Sequence, residues 1–382
     1  MKVIVSVHGR FHAFELSSGL YERGHLQQLI TTYPSFYVKK LTNYSLPVRS
    51  VPRLELLKRI IDRTGLGTHL DGFIGEAFGN FACRTDMTGA DIFVGWANAT
   101  LEAIKTARSA GLKIVLERGS SHICHQTEIL KSAYEKFGST KIITPQKVIE
   151  RELEEYELVD AISVPSSYAA QTFIQRGFSE SKIIKNNLGV NLSLFGKSPH
   201  HIRKDCQKIL FVGRIGIRKG IPNLLAAFSE LRTEANLHLI GPVETGFENY
   251  LRNAPLDKVI LRGPINFNQL PAEYEDADIF CLPSLEEGFP LVILQALASG
   301  CPVITTEAAG AADIIKDGVN GIILPDNSPP NITKALRRLL KNPELRSNMS
   351  ITAKESVLDG FSWNHYVDRA IMAYEKLQFK TL

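Results

Sequence analysis

Short apolar runs punctuate the 382-residue chain at intervals that leave room for a helix between them. Val3–Val7, Asp91–Gly95, Lys113–Glu117, Asp160–Val164 and Ile183–Asn187 form one series, and Ile209–Val212, Leu237–Ile240, Val259–Leu261, Asp278–Leu282, Val303–Thr305 and Gly321–Leu324 a second. Runs this short and this continuously apolar, rich in Val and Ile, predict strands covered on both faces. The intervening stretches carry helical periodicity: Phe14–Gly24, the segment from Trp96 through Ala110, one begun by Pro165-Ser166-Ser167 and ending at Arg176, Ile221–Leu231, and a last amphipathic helix over Trp363–Leu377. Regular alternation of strand and helix predicts an α/β chain with two doubly wound, Rossmann-like parallel sheets. In such sheets functional side chains gather in the loops after the strands.

A chain of this length exceeds the size at which one core stops growing, so two domains are expected. The polar stretch Gly196–Gln207 reads as the linker, giving domains over 1–196 and 197–362. The tandem His200-His201 within it lacks carboxylates or cysteines at ligand spacing and predicts no metal site.

One region breaks the pattern. Between Thr31 and Leu70, Lys39, Lys40, Arg49, Arg53, Lys58, Arg59 and Arg63 are opposed only by Glu55 and Asp62, while Leu54, Leu57 and Ile61 share a helical stripe near Phe36, Tyr37 and Tyr44. Two readings fit residues 36–63: a basic amphipathic segment lying on an anionic membrane, or a surface helix packing its stripe on its own domain.

A net charge of +4 suits an anionic ligand but is too small to mark a nucleic-acid reader. Five scattered cysteines without a CxxC pair fit a reduced, cytoplasmic protein better than a disulfide scaffold or zinc centre. The opening MKVIVSV is far shorter than the ~18–20 apolar residues of a membrane span and has no signal-peptide cleavage site. The expected location is the cytoplasm, membrane-peripheral if the basic segment docks.

Candidate chemistry concentrates in two strand-loop-helix units. In Ile209–Gly220 a strand runs into a basic loop with Arg214 and Lys219, which would project from the strand's carboxyl end. In Leu282–Ile304 the pair Glu286-Glu287 precedes a turn forced by Gly288 and Pro290 and a buried helix from Leu291. Amides of Gly288, Phe289, Leu291 and Val292 at that helix start suit phosphate oxygens, and a carboxylate there suits sugar hydroxyls. The glutamates could instead merely cap the helix. At the first strand's end, Gly9 permits close backbone approach to a ligand. Asp276-Ala277-Asp278 is no metal motif, since one aspartate ends a helix and the other opens a strand.

Together, FVGRIGIRKG and EGFPLVILQALASG resemble the donor-site pattern of family-four retaining glycosyltransferases with the GT-B fold (glycosyl transferases group 1). The resemblance covers most of the chain and is strongest from Lys208 to Pro325. It implies two Rossmann-like domains facing a central cleft, with residues 363–382 forming a helix that crosses back to the first domain. The implied activity is metal-independent hexosyl transfer, with retention, from a UDP- or GDP-type sugar to a glycan or lipid-linked acceptor. No cofactor and no nucleic-acid partner are implied.

By the same resemblance Arg214 and Lys219 hold the diphosphate, Glu287 the donor-sugar hydroxyls, position 295 the ribose, Gly9 the diphosphate loop, and His122 a place beside the donor sugar. Position 295 departs from the family: it is Gln where a second glutamate is usual. A sugar-nucleotide epimerase and a catalytically silent partner of another transferase are the alternatives.

Overall fold

The computed structural model describes residues 1–64, 67–139, 142–196, 208–231 and 235–379, leaving aside the side chains of 62–69. The proposed linker falls almost wholly outside them. Among the described residues thirteen strands form two parallel sheets. The first contains β1 (Val3–Val7), β2 (Leu26–Thr31), β3 (Val48–Ser50), β4 (Ile92–Trp96), β5 (Lys113–Glu117), β6 (Ala161–Val164) and β7 (Ile183–Lys185) in the order β3-β2-β1-β4-β5-β6-β7. The second contains β8 (Lys208–Val212), β9 (Asn236–Ile240), β10 (Val259–Gly263), β11 (Ile279–Leu282), β12 (Val303–Thr306) and β13 (Gly321–Leu324) in the order β10-β9-β8-β11-β12-β13.

Helices cover both faces, which is why every residue of β1, β4, β6, β8, β11 and β12 is buried. Strand order reverses between β1 and β4 and between β8 and β11. These switch points open a crevice at the strands' carboxyl ends, where α/β sheets bind ligands.

Two strands do not appear among those predicted. In β2, two glutamines interrupt the apolar run; Gln27 remains half-buried by donating to the Thr88 carbonyl at 3.1 Å. β3 is a three-residue edge strand, too short to impose a pattern.

The last helix, Trp363–Phe379, packs on the first unit although it follows the second in sequence. Gly19 makes the approach possible, because a Cβ there would lie 2.5 Å from the Val367 side chain. Arg23 meets Asp368 at 2.8 Å, and Gln378 donates to Asp91 at 2.9 Å. Among the described residues no helix is long and apolar enough to cross a membrane.

Candidate functional site

The carboxyl edges of the two sheets face each other, and the loop after β11 is pressed against the first unit. A Cβ at Gly288 would meet the Gly119 carbonyl oxygen at 2.1 Å, and Ser166 donates to the Gly288 carbonyl at 2.6 Å. Asp313, after β12, accepts from the Ser167 N–H at 2.8 Å and from Asn187 at 2.7 Å.

Glu286 lies at the centre of this contact, with no exposed surface. Its carboxylate accepts from Ser120 Oγ at 2.6 Å, Ser121 Oγ at 2.7 Å and Gln126 Nε2 at 2.9 Å, all on the first unit, and pairs with Arg218 of its own unit at 2.9 Å. Burial alone would raise its pKa. The Arg218 charge and the three side-chain donors outweigh burial and hold it at about 2.

A depressed carboxylate stabilises the folded state fully above its ordinary pKa and loses that contribution as pH falls toward the folded value. Wild-type stability should therefore hold down to about pH 4.5 and decline toward pH 2. Glu286→Gln, which cannot titrate, should be less stable at neutral pH and lack that part of the decline. Melting temperatures against pH for both proteins check this; parallel curves would contradict the assignment.

Glu287, the neighbour, turns the other way and forms an ion pair with Lys219, with Arg218 3.8 Å off. Arg214 is exposed and has no hydrogen-bond or ion-pair partner among the described residues. Close by, the helix Leu291–Ala298 begins at Pro290 without a side-chain cap. The N–H groups of Gly288, Phe289, Leu291 and Val292 have no acceptor among the described residues. Two cations and uncapped amides thus stand at the second switch point, an arrangement suited to a phosphate ester.

Next to this helix start is a cavity of about 230 Å³ whose lining includes Arg10, His12, Glu15, Leu291, Gln295 and Trp363. His12 Nε2 is 3.2 Å from Glu117 Oε2, joining the carboxyl ends of β1 and β5. Gln295 accepts from the buried Tyr274 hydroxyl at 3.1 Å. Among the described residues no group of three or more His, Cys, Asp or Glu is placed to hold a metal ion. Asp276 pairs with Lys208 Nζ and Asp278 accepts from Lys208 N–H, so both aspartates serve structure.

Residues 196–356 match the family model described as glycosyl transferases group 1. The match takes in the second sheet and its covering helices, the part of the chain that holds Arg214, Lys219 and Glu287.

An uncharacterised glycosyltransferase of Methanocaldococcus jannaschii is 27% identical over 278 residues, 66% of this chain and 70% of that protein. A D-inositol 3-phosphate glycosyltransferase of Geodermatophilus obscurus is 31% identical over 188 residues, which span 45% of this chain and only 41% of that protein. Among solved structures, Anabaena HepE in complex with UDP superposes with a TM-score of 0.72 at 15% identity, covering 98% of this chain and 100% of that one. Sucrose-phosphate synthase from Thermosynechococcus elongatus gives 0.70 at 20%, covering 98% of each. At such identities the structural likeness is one of fold, GT-B. The chain has the GT-B fold, and its residues 196–356 carry the group 1 glycosyltransferase match.

The expected donor residues come together only in part. Lys219 and Glu287 form an ion pair, Gly288 and Leu291 follow Glu287 in the same loop and helix start, and Arg214 lies in the loop after β8. Gly9 has φ +126°, a conformation that favours glycine, and its carbonyl accepts from Thr31 Oγ1 at 2.9 Å. Phe289 offers only its backbone, because its ring is buried and stacked on Phe361 at 6.2 Å.

His122 is not brought to the cleft cavity and needs correction. It caps the helix Ile123–Lys136, its Nδ1 accepting from the Cys124 N–H at 3.2 Å. Its ring lies among Tyr156, Phe173 and Phe178, and burial, reinforced by Arg176 and Arg118, lowers its pKa to about 3. A neutral cap in an aromatic pocket is a structural role. The cleft's own histidine is His12, and Glu117 rather than His122 carries the end of β5 into the site; the rule that ligands gather at strand ends would have pointed to both.

Proposed function

We propose that this glycosyltransferase moves a hexosyl unit, with retention and without a metal, from a UDP- or GDP-type sugar to a glycan or lipid-linked acceptor. The observation that carries the reading is the exposed Arg214 and the Lys219–Glu287 pair beside an uncapped helix start. Breaking the anomeric bond builds negative charge on the leaving phosphate and positive charge on the sugar. Arg214, Lys219 and the free amides oppose the first.

The Lys219–Glu287 pair is an exchangeable contact. When a diphosphate takes Lys219, Glu287 is released to accept from sugar hydroxyls and to face the developing cation. The acceptor hydroxyl attacks the anomeric carbon from the side of the departing diphosphate, which receives its proton. The UDP and UDP-glucose complexes of the structurally similar HepE support a UDP-type donor.

A panel of UDP-, GDP- and ADP-sugars, assayed for hydrolysis and transfer with chelator present, tests the reading. Transfer products retaining the anomeric configuration by NMR are expected; epimerised donor would establish an isomerase, and no turnover of any donor a silent partner.

Gln295→Glu is expected to retain or strengthen donor binding, because a carboxylate accepts from ribose hydroxyls better than an amide and still receives the Tyr274 hydroxyl. Glu287→Gln should impair turnover, since the sugar contact and the Lys219 partner both lose their charge. Calorimetry and initial rates check the pair; abolished binding in the first with a silent second would reverse the assignment of roles.

A further inference from the structure

The helix Pro52–Thr64 turns part of its apolar surface outward. Arg53, Leu56, Leu57 and Ile60 stand at i, i+3, i+4 and i+7, hence on one face, and that face is open to solvent: Leu56 is 63% and Ile60 52% exposed. Leu54 and Ile61 take the inner side. Of the stripe Leu54, Leu57 and Ile61, only Leu57 is exposed; Leu56 and Ile60, outside that stripe, form the outward face with it.

The preceding helix, Ser35–Thr42, continues the surface with Phe36, 73% exposed, and Tyr37. The two helices are joined through Tyr33, whose ring stacks on Tyr37 at 5.6 Å and lies 5.8 Å beneath the Arg59 guanidinium.

Cations outnumber acids around these apolar side chains. Lys39, Lys40, Arg53, Lys58 and Arg59 border them. Of the acids facing the surface, Glu55 is taken by Arg59 at 2.9 Å and by the Thr32 hydroxyl at 2.8 Å, and Asp71 lies 3.7 Å from Lys58. Lys39, Lys40 and Arg53 have no ion-pair partner among the described residues. Aliphatic residues interleaved with unpaired cations, edged by aromatics, are the composition of a helix that lies in a lipid interface. A protein partner would have to present apolar and acidic groups in register; an anionic bilayer offers both without register.

We propose that the face built from the helices Ser35–Thr42 and Pro52–Thr64 docks on an anionic lipid surface. The face adjoins the cleft: Leu41 and Thr42, at the end of its first helix, line a cavity together with Arg10, Glu15 and Trp363. A docked molecule holds its cleft mouth at the headgroups, within reach of an acceptor whose lipid tail stays in the bilayer. This choice of acceptor class rests on the glycosyltransferase reading above.

The test is co-sedimentation of the full chain with vesicles of phosphatidylcholine alone or mixed with phosphatidylglycerol, at low and high salt. Binding to the mixed vesicles, release by salt, and at least ~10-fold weaker binding for Leu56→Ser/Ile60→Ser and for Lys39→Glu/Arg53→Glu are expected. Equal binding to both vesicles, or to neither, overturns the proposal. So does a lipid-free dimer in sedimentation velocity that the same variants convert to monomer, because the face would then receive a second copy. Nucleotide binding by calorimetry, run on the same variants, should be unchanged. Its absence in the wild type as well would count against the donor site and leave the vesicle result to stand or fall by itself.

Discussion

Lys219→Ala and Arg214→Ala are each expected to lower turnover by at least ~10²-fold, the scale of losing one preorganised charge at a developing anion. The two differ in what else they disturb. Arg214 is exposed and unpartnered among the described residues, so its loss should leave the melting temperature unchanged. Removing Lys219 leaves the Glu287 carboxylate, with 12% of its side chain exposed, facing only Arg218 at 3.8 Å, and should also lower stability. Initial rates and thermal melts on both purified variants separate the effects. Near-normal turnover in both would mean that the leaving phosphate binds elsewhere.

Gly288→Ala should be as damaging for a different reason. The new methyl would meet Gly119 O at 2.1 Å, Gly119 C at 2.7 Å and Ser120 Cα at 2.8 Å, all backbone atoms with no rotamer to yield. Each unit can fold around the change, but the loop after β11 cannot seat against the first unit, and Glu286 cannot reach Ser120 and Ser121 together. Displacement of about 1 Å at a reacting centre costs on the order of 10²-fold in rate. The expected signature is a collapsed kcat with nucleotide affinity largely kept. Small-angle scattering would show a more open molecule, and wild-type kinetics in this variant would mean that the closed contact plays no part in turnover.

Much of the fold was legible because parallel strands covered on both faces leave unbroken runs, as in KILFV or VIVSV. The donor loops were legible because backbone geometry dictates residue type. Gly213 adopts φ +151°, and a Cβ on Gly241 would lie 1.9 Å from the Gly213 carbonyl oxygen, so glycines mark the loop before any ligand is considered. The clasp was not legible. Glu286 and Ser120 are 166 residues apart, and nothing near either predicts the other. An EE pair reads the same whether both acids face a ligand or, as here, one points across the cleft and its neighbour toward Lys219. His122 misled because its loop does follow a strand end, while its side chain turns into the aromatic pocket behind.

The helix Trp363–Phe379 carries a consequence for the order in which the molecule is made. Gly19, Arg23 and Asp91 leave a ribosome more than two hundred residues before the residues that cover them, Val367, Asp368 and Gln378. Until then the first unit exposes the flank of its opening helix and cannot complete its own surface. Chains shortened before Trp363 should accumulate as a soluble second unit joined to a sticky first one.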